Sequence, residues 1–104
     1  MMNRPKIIAV DFDGTLCEDK WPEIGEPRWS VINYCKDEQK KGAKIILWTC
    51  REGVEAVNAI MWCLDHGLNP DECNNNLPQI IGEFGGDRRK IFADEYIDDK
   101  ARFM

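Results

Sequence analysis

Lys6-Ile7-Ile8-Ala9-Val10-Asp11-Phe12-Asp13-Gly14-Thr15-Leu16 carries the pattern from which the fold follows. Residues 6–11 form a short, unbroken apolar run, rich in β-branched side chains, that ends in an acid. Such a run predicts a strand buried on both faces, as in a parallel sheet. Residues 44–49 repeat the form and end on Thr49. Between the two, residues 28–41 read as a helix with Val31, Ile32 and Cys35 on one face and Gly42 as its stop. Val54, Val57, Ile60, Met61 and Leu64 then recur at three- and four-residue steps, the amphipathic stripe of a second helix that Gly67 and Pro70 end. A short strand at residues 72–74, a helical turn at 78–83 and a last strand at 94–98, with Tyr96 and Ile97 inside it, complete the reading. Strands that alternate with helices imply a mostly parallel sheet with right-handed crossovers, and such sheets bind ligands at the carboxyl ends of their strands.

The composition supports one domain. The chain has 104 residues, of which 43% are apolar and 32% charged. That is enough apolar material for a single core, and it argues against disorder. Basic residues number 14 and acidic residues 19, for a net charge of −5. Such a balance does not suit a protein that neutralises many duplex phosphates, so no duplex nucleic acid is expected as a partner. Every apolar run falls far short of the roughly 20 residues of a membrane-spanning helix, and the first residues lack a secretory apolar region. No membrane partner is expected, and the default compartment is cytoplasmic. Cys17, Cys35, Cys50, Cys63 and Cys73 are odd in number and form no C-x-x-C pair. They read as reduced thiols, mostly core filler. Cys50 stands apart because it adjoins the polar end of the second strand.

Three predicted strands end in reactive polar groups: Asp11 and Asp13 after the first, Thr49-Cys50-Arg51 after the second, Asp98-Asp99 after the last. Four carboxylates in one crevice repel each other and call for a counter-charge. A hard divalent cation and a lysine supply it. Mg²⁺ fits best, since it takes one or two carboxylates plus substrate phosphate and keeps its other waters. Lys90 lies eight residues before Asp98 and can return to the same crevice.

The set DFDGTL at 11–16, Thr49, Lys90 and Asp98-Asp99 resembles, in order and strand position, the four motifs of the haloacid dehalogenase (HAD) superfamily. The tail RKIFADEYIDDKA most resembles its short bacterial and phage-borne members. The resemblance spans residues 7–99 and implies an α/β fold of three-layer, Rossmann-like form with a small, mostly parallel sheet and no cap domain. It implies an Mg²⁺-dependent phosphatase that works through an aspartyl-phosphate. Asp11 would be the nucleophile. Asp13 would protonate the leaving oxygen and later accept a proton from water, while its main-chain carbonyl helps hold the metal. Mg²⁺ would bind Asp11 and Asp98, with Asp99 an alternative ligand or an orienter of metal-bound water. Thr49 would donate to a phosphoryl oxygen and Lys90 would neutralise charge, although adjacent Arg88 and Arg89 compete for the lysine's part. Gly14 would turn the backbone so that main-chain N–H groups, with Thr15, Cys50 and Arg51 nearby, face the phosphate.

Several residues admit two readings. Arg51 either touches substrate or pairs with Glu52 or Glu55. Residues 17–29 are a flap too short to be a cap, so the site should be open, and Trp21 and Trp29 either line its mouth or pin the flap to its own domain. His66 reads as a surface residue suited to a helix C-terminus. The end of the chain soon after Asp99 leaves room for a missing edge strand and a homodimer. The substrate would be a small-molecule, nucleotide or oligonucleotide phosphomonoester. Two rival functions are a phosphoacceptor or metal-binding regulatory module, which has no need of a second acid at Asp13, and a phosphatase of nucleic-acid ends that draws on Arg51, Arg88 and Arg89.

Overall fold

Ile7, Ile8, Ala9 and Val10 have no exposed surface, which makes the strand β1 (Ile7–Asp11) the centre of the sheet. These positions belong to a computed structural model that describes residues 4–75, 77, 91–98 and 102–103. The expected turn at 78–83, Lys90 and Asp99 lie outside the described residues, as do Arg88 and Arg89.

On one side β1 pairs in parallel with β4 (Lys44–Trp48), from Ile7 opposite Lys44 to Asp11 opposite Trp48. On the other it pairs in parallel with β6 (Glu95–Ile97), which brings Val10 opposite Ile97. A parallel two-residue strand, β5 (Glu72–Cys73), lies beyond β4, and β7 (Arg102–Phe103) runs antiparallel beyond β6. The order is β5-β4-β1-β6-β7. Each expected strand is present within one residue at either end. The edge beyond β6, expected to be bare, carries β7.

The stretch expected as a flap, residues 17–29, holds a hairpin of β2 (Cys17–Lys20) and β3 (Glu23–Pro27), and its last residue, Trp29, already opens the first helix. Gly25 is required there, since a Cβ at that position would run into the Glu18 carbonyl.

Two helices follow. The first, α1 (Trp29–Lys40), leads into β4; α2 (Gly53–Asp65) joins β4 to β5. Because the chain steps from β1 to β4 to β5 in one direction, right-handed crossovers place both helices on the same face. There Ile32, Cys35, Ala59 and Cys63 pack on Ile8, Val10, Phe12, Ile45 and Leu47. The opposite face, Ile7, Ala9 and Ile46, is covered by Leu77, Ile91 and Ala93. The segment expected to turn helically on this face, residues 78–83, lies outside the described residues.

The second helix corrects the sequence in another. Val54, Val57, Met61 and Leu64 turn outward, at 68%, 56%, 54% and 45% exposure, while Ala59 and Cys63 are buried. Small side chains four residues apart let the helix approach the sheet closely, and Trp62 meets the Phe12 ring edge-on at 5.4 Å. The more hydrophobic of two stripes is thus the outer one.

Glu95 is a buried charge the sequence did not signal, with no exposed surface. The Tyr34 hydroxyl donates to it at 2.7 Å and Lys6 Nζ lies 3.3 Å away. Burial and the Glu95 carboxylate push the Tyr34 pKa up, while Glu38, with smaller contributions from Glu95 and Tyr34, holds the Lys6 ammonium strongly charged. Cys17, Cys35 and Cys63 are buried, Cys73 half-buried and Cys50 exposed, and no disulfide links them. Among the described residues no helix is long and apolar enough to cross a membrane.

Candidate active site

Parallel strands end at the same rim. The chain leaves β1 toward β4 and β5 and later returns to β6 on the other flank, so the strand order reverses at β1, where open α/β sheets leave a crevice. A cavity of about 230 Å³ lies there, lined by Asp11, Trp48, Thr49, Cys50 and Asp98. Asp11 closes β1, Thr49 follows β4, and Asp98 follows β6. Of the four acids and the hydroxyl expected there, Asp11, Asp98 and Thr49 line this cavity, Asp13 does not, and Asp99 lies outside the described residues.

Local bonds hold each in place. Asp11 Oδ1 accepts the Phe12 N–H at 2.8 Å. The Thr49 N–H donates to Asn74 Oδ1 at 2.8 Å, and Thr49 Oγ1 accepts the Arg51 N–H at 3.1 Å. A hydroxyl has one donor and two acceptor sites, so accepting from Arg51 keeps its proton available to a ligand. Asn74 has φ 59°, a left-handed conformation that Asn tolerates better than most residues. It is a site residue the sequence missed; the signal was an Asn run directly after a short strand.

Asp13 is engaged elsewhere. Arg51 Nε donates to its Oδ2 at 2.8 Å and Nη2 to its Oδ1 at 2.7 Å. The guanidinium also donates to the carbonyls of Pro22 at 3.2 Å and Glu23 at 3.0 Å, at the tip of the hairpin, and lies over the rings of Phe12 and Trp21. The Arg51 side chain is 1% exposed, and its bond to Asp13 raises its pKa further. Both sequence readings of Arg51 are corrected: the bidentate partner is Asp13, and burial under the flap makes Arg51 a strut rather than a direct phosphate ligand. Asp13 borders a second cavity of about 230 Å³ together with Asp19, Trp21, Cys50 and Arg51. Cys50 borders both.

Gly14 and Thr15 line neither cavity. Gly14 adopts φ 85° as a sharp turn requires, but its N–H donates to the Cys17 carbonyl at 2.9 Å, and that of Thr15 to the Phe12 carbonyl at 3.1 Å. Thr15 is 2% exposed. Their expected substrate contacts are corrected, because the loop uses those amides to close upon itself.

Trp29 is also away from the site. It pairs with His66 at 5.5 Å, and the His66 ring stacks on Trp62 at 3.8 Å while Nδ1 lies 2.7 Å from the Trp62 carbonyl. His66 is thus half-buried between aromatic rings, not a plain surface residue. Among the described residues no group of three or more His, Cys, Asp or Glu side chains is placed to hold a metal ion.

The chain is similar to the solved structure of a conserved protein from Bacteroides thetaiotaomicron, with a TM-score of 0.81 and 39% identity, over 94% of this chain and 78% of that one. The two chains belong to one family. No protein-family model matches the chain, and no curated protein does.

Proposed function

We propose that the protein is an Mg²⁺-dependent phosphohydrolase of the haloacid dehalogenase type, acting on a phosphomonoester through an aspartyl-phosphate at Asp11. The observation that carries this reading is the shared cavity of Asp11, Thr49 and Asp98 at the point where the strand order reverses. A carboxylate nucleophile, a hydroxyl donor and a second acid are what phosphoryl transfer asks of a protein, whose part is mainly positioning and charge neutralisation.

A carboxylate oxygen of Asp11 attacks phosphorus as the ester P–O bond breaks. The leaving oxygen takes a proton from Asp13 and departs as an alcohol, and Asp13 later regains a proton from the attacking water. Water then attacks the same phosphorus, which releases inorganic phosphate and restores the Asp11 carboxylate. The Thr49 hydroxyl donates to a phosphoryl oxygen through both steps. Asp13 has both oxygens on Arg51, so it moves a proton only after one of those contacts opens. Mg²⁺ is compatible with the donor set, since it needs only one or two carboxylates beside water and phosphate oxygens, and Asp11 and Asp98 would hold it. When bound, it offsets the repulsion between Asp11 and the incoming phosphate.

The test is hydrolysis of an aryl phosphate. Wild type with Mg²⁺ turns it over, chelation stops it, and Asp11→Asn is inert; equal rates in wild type and Asp11→Asn overturn the reading.

The Arg51–Asp13 lock favours a second reading, a phosphoacceptor module, because it restrains the group that would hasten loss of the phosphoryl. That reading requires a phospho-Asp11 lasting minutes or longer whose lifetime Asp13→Asn leaves unchanged. A phosphatase of nucleic-acid ends is less favoured, since Arg51 is enclosed.

A further inference from the structure

The second cavity adjoins the first through Cys50, and neither Trp21 nor Asp19 has a part in the phosphoryl transfer described above. Trp21 sits at the tip of the hairpin with 57% of its surface exposed. The Arg51 guanidinium lies under its ring at 4.9 Å and is itself fixed by Asp13, Pro22 and Glu23. Asp19 Oδ1 accepts the main-chain N–H of Trp21 at 3.3 Å, which holds that carboxylate at the hairpin turn that carries the ring. The cavity therefore combines a braced, solvent-facing aromatic plane with an acceptor-only carboxylate. We propose that this cavity takes the leaving group of the substrate, and that the leaving group is a planar nitrogen heterocycle with an amino substituent, such as the base of a nucleoside monophosphate. The inference rests on the phosphohydrolase reading for its phosphate and names the substrate class for that site.

Three observations select this class. A flat π face favours a stacked ring over a sugar or an alkyl chain. Asp13 is occupied by Arg51, so Asp19 supplies acceptor capacity that an exocyclic amine satisfies as donor. The net charge of −5 opposes a polynucleotide with many phosphates and tolerates a single one. The two cavities, each of about 230 Å³, together fall within the roughly 300–1,000 Å³ common for small-molecule sites.

The experiment compares kcat/KM with Mg²⁺ for adenosine 5′-monophosphate, the purine ribonucleotide that lacks the amino group, and ribose 5-phosphate. Alongside it, calorimetry measures adenosine binding to the full-length wild type, Trp21→Ala and Trp21→Phe. Wild type is expected to prefer the adenine nucleotide over ribose 5-phosphate by about ten-fold or more. Trp21→Ala collapses that ratio, Trp21→Phe retains most of it, and Asp19→Asn reduces the preference for the amino-bearing base. If wild type hydrolyses ribose 5-phosphate as well as the nucleotide, and Trp21→Ala does not move the ratio, the inference is overturned and the phosphohydrolase reading stands. If no ester is turned over but adenosine binds wild type and Trp21→Phe and not Trp21→Ala, the base site is upheld and the phosphohydrolase reading falls. If nothing is hydrolysed and adenosine does not bind, both fail.

Discussion

Arg51 holds Asp13 through two parallel hydrogen bonds of 2.8 and 2.7 Å, and the same guanidinium reaches two carbonyls at the hairpin tip. One buried cation thereby joins the loop after β4, the loop after β1 and the flap.

That relationship makes Arg51→Lys a severe change. Lysine cannot reproduce a planar fork, so the variant loses one Asp13 bond and at least one flap carbonyl. Asp13 keeps a fifth of its side chain in water, which limits the cost of its lost partner to about 2–4 kcal/mol. Urea denaturation measures it; an unchanged midpoint would show the strut to be dispensable.

The outward stripe of α2 predicts an unequal pair of substitutions. Met61→Lys places a charge where more than half of the side chain is already exposed and changes stability by no more than about 0.5 kcal/mol. Ala59→Leu adds bulk at a position with no exposed surface and costs about 1–3 kcal/mol. Thermal melts of both compare the two faces. The reverse ranking would mean that the helix is rotated.

Thiol chemistry should separate Cys50 from the rest. Burial pushes the Cys17 thiol up to about 11 and Cys63 to about 12, and raises Cys73 as well, so these remain protonated near neutral pH. Cys50 is exposed. Iodoacetamide on the native protein at about pH 8 is expected to give one rapid adduct, at Cys50, and five after denaturation, as peptide mass spectrometry reads out. Rapid native labelling at Cys17 or Cys63 would contradict the packing.

Asp94 sets a pH dependence. The Arg4 guanidinium holds its carboxyl below the usual value of 3.8, and the Ile7 N–H assists. A carboxyl lowered in the fold contributes stability that is complete above its ordinary value and is lost as pH falls through the lowered one. The gap in melting temperature between wild type and Asp94→Asn is therefore flat from about pH 7 to 5 and narrows below about pH 4. A gap that widens on acidification would refute the assignment.

How far the sequence could be read depends on what each signal measures. Ile7 to Val10 and Ile45 to Leu47 announced central strands because both of their faces are dry. Asp11, Thr49 and Asp98 were found because strand ends share a rim wherever strands are parallel. The outward turn of Val57 and Met61 was illegible, since periodicity reports that a stripe exists and not which of two stripes approaches the sheet. Arg51 and Asp13 are 38 residues apart, and nothing local to either shows that a hairpin tip will enclose them. Glu95 escaped notice for a related reason: its burial depends on Lys6 and Tyr34, which lie on β1's lead-in and on α1.

The position of that glutamate has a wider consequence. Glu95 with Lys6 and Tyr34, Asp94 with Arg4 and Ile7, and Asp71 with the Ile45 N–H all sit where strands begin, at the amino ends of the sheet. These three fastenings are thus separated from Asp11, Thr49 and Asp98 by the full length of the strands. Asp11, Thr49 and Asp98 can be exchanged one at a time without loosening those fastenings, which leaves the chemistry of one rim open to revision while the other keeps the scaffold intact.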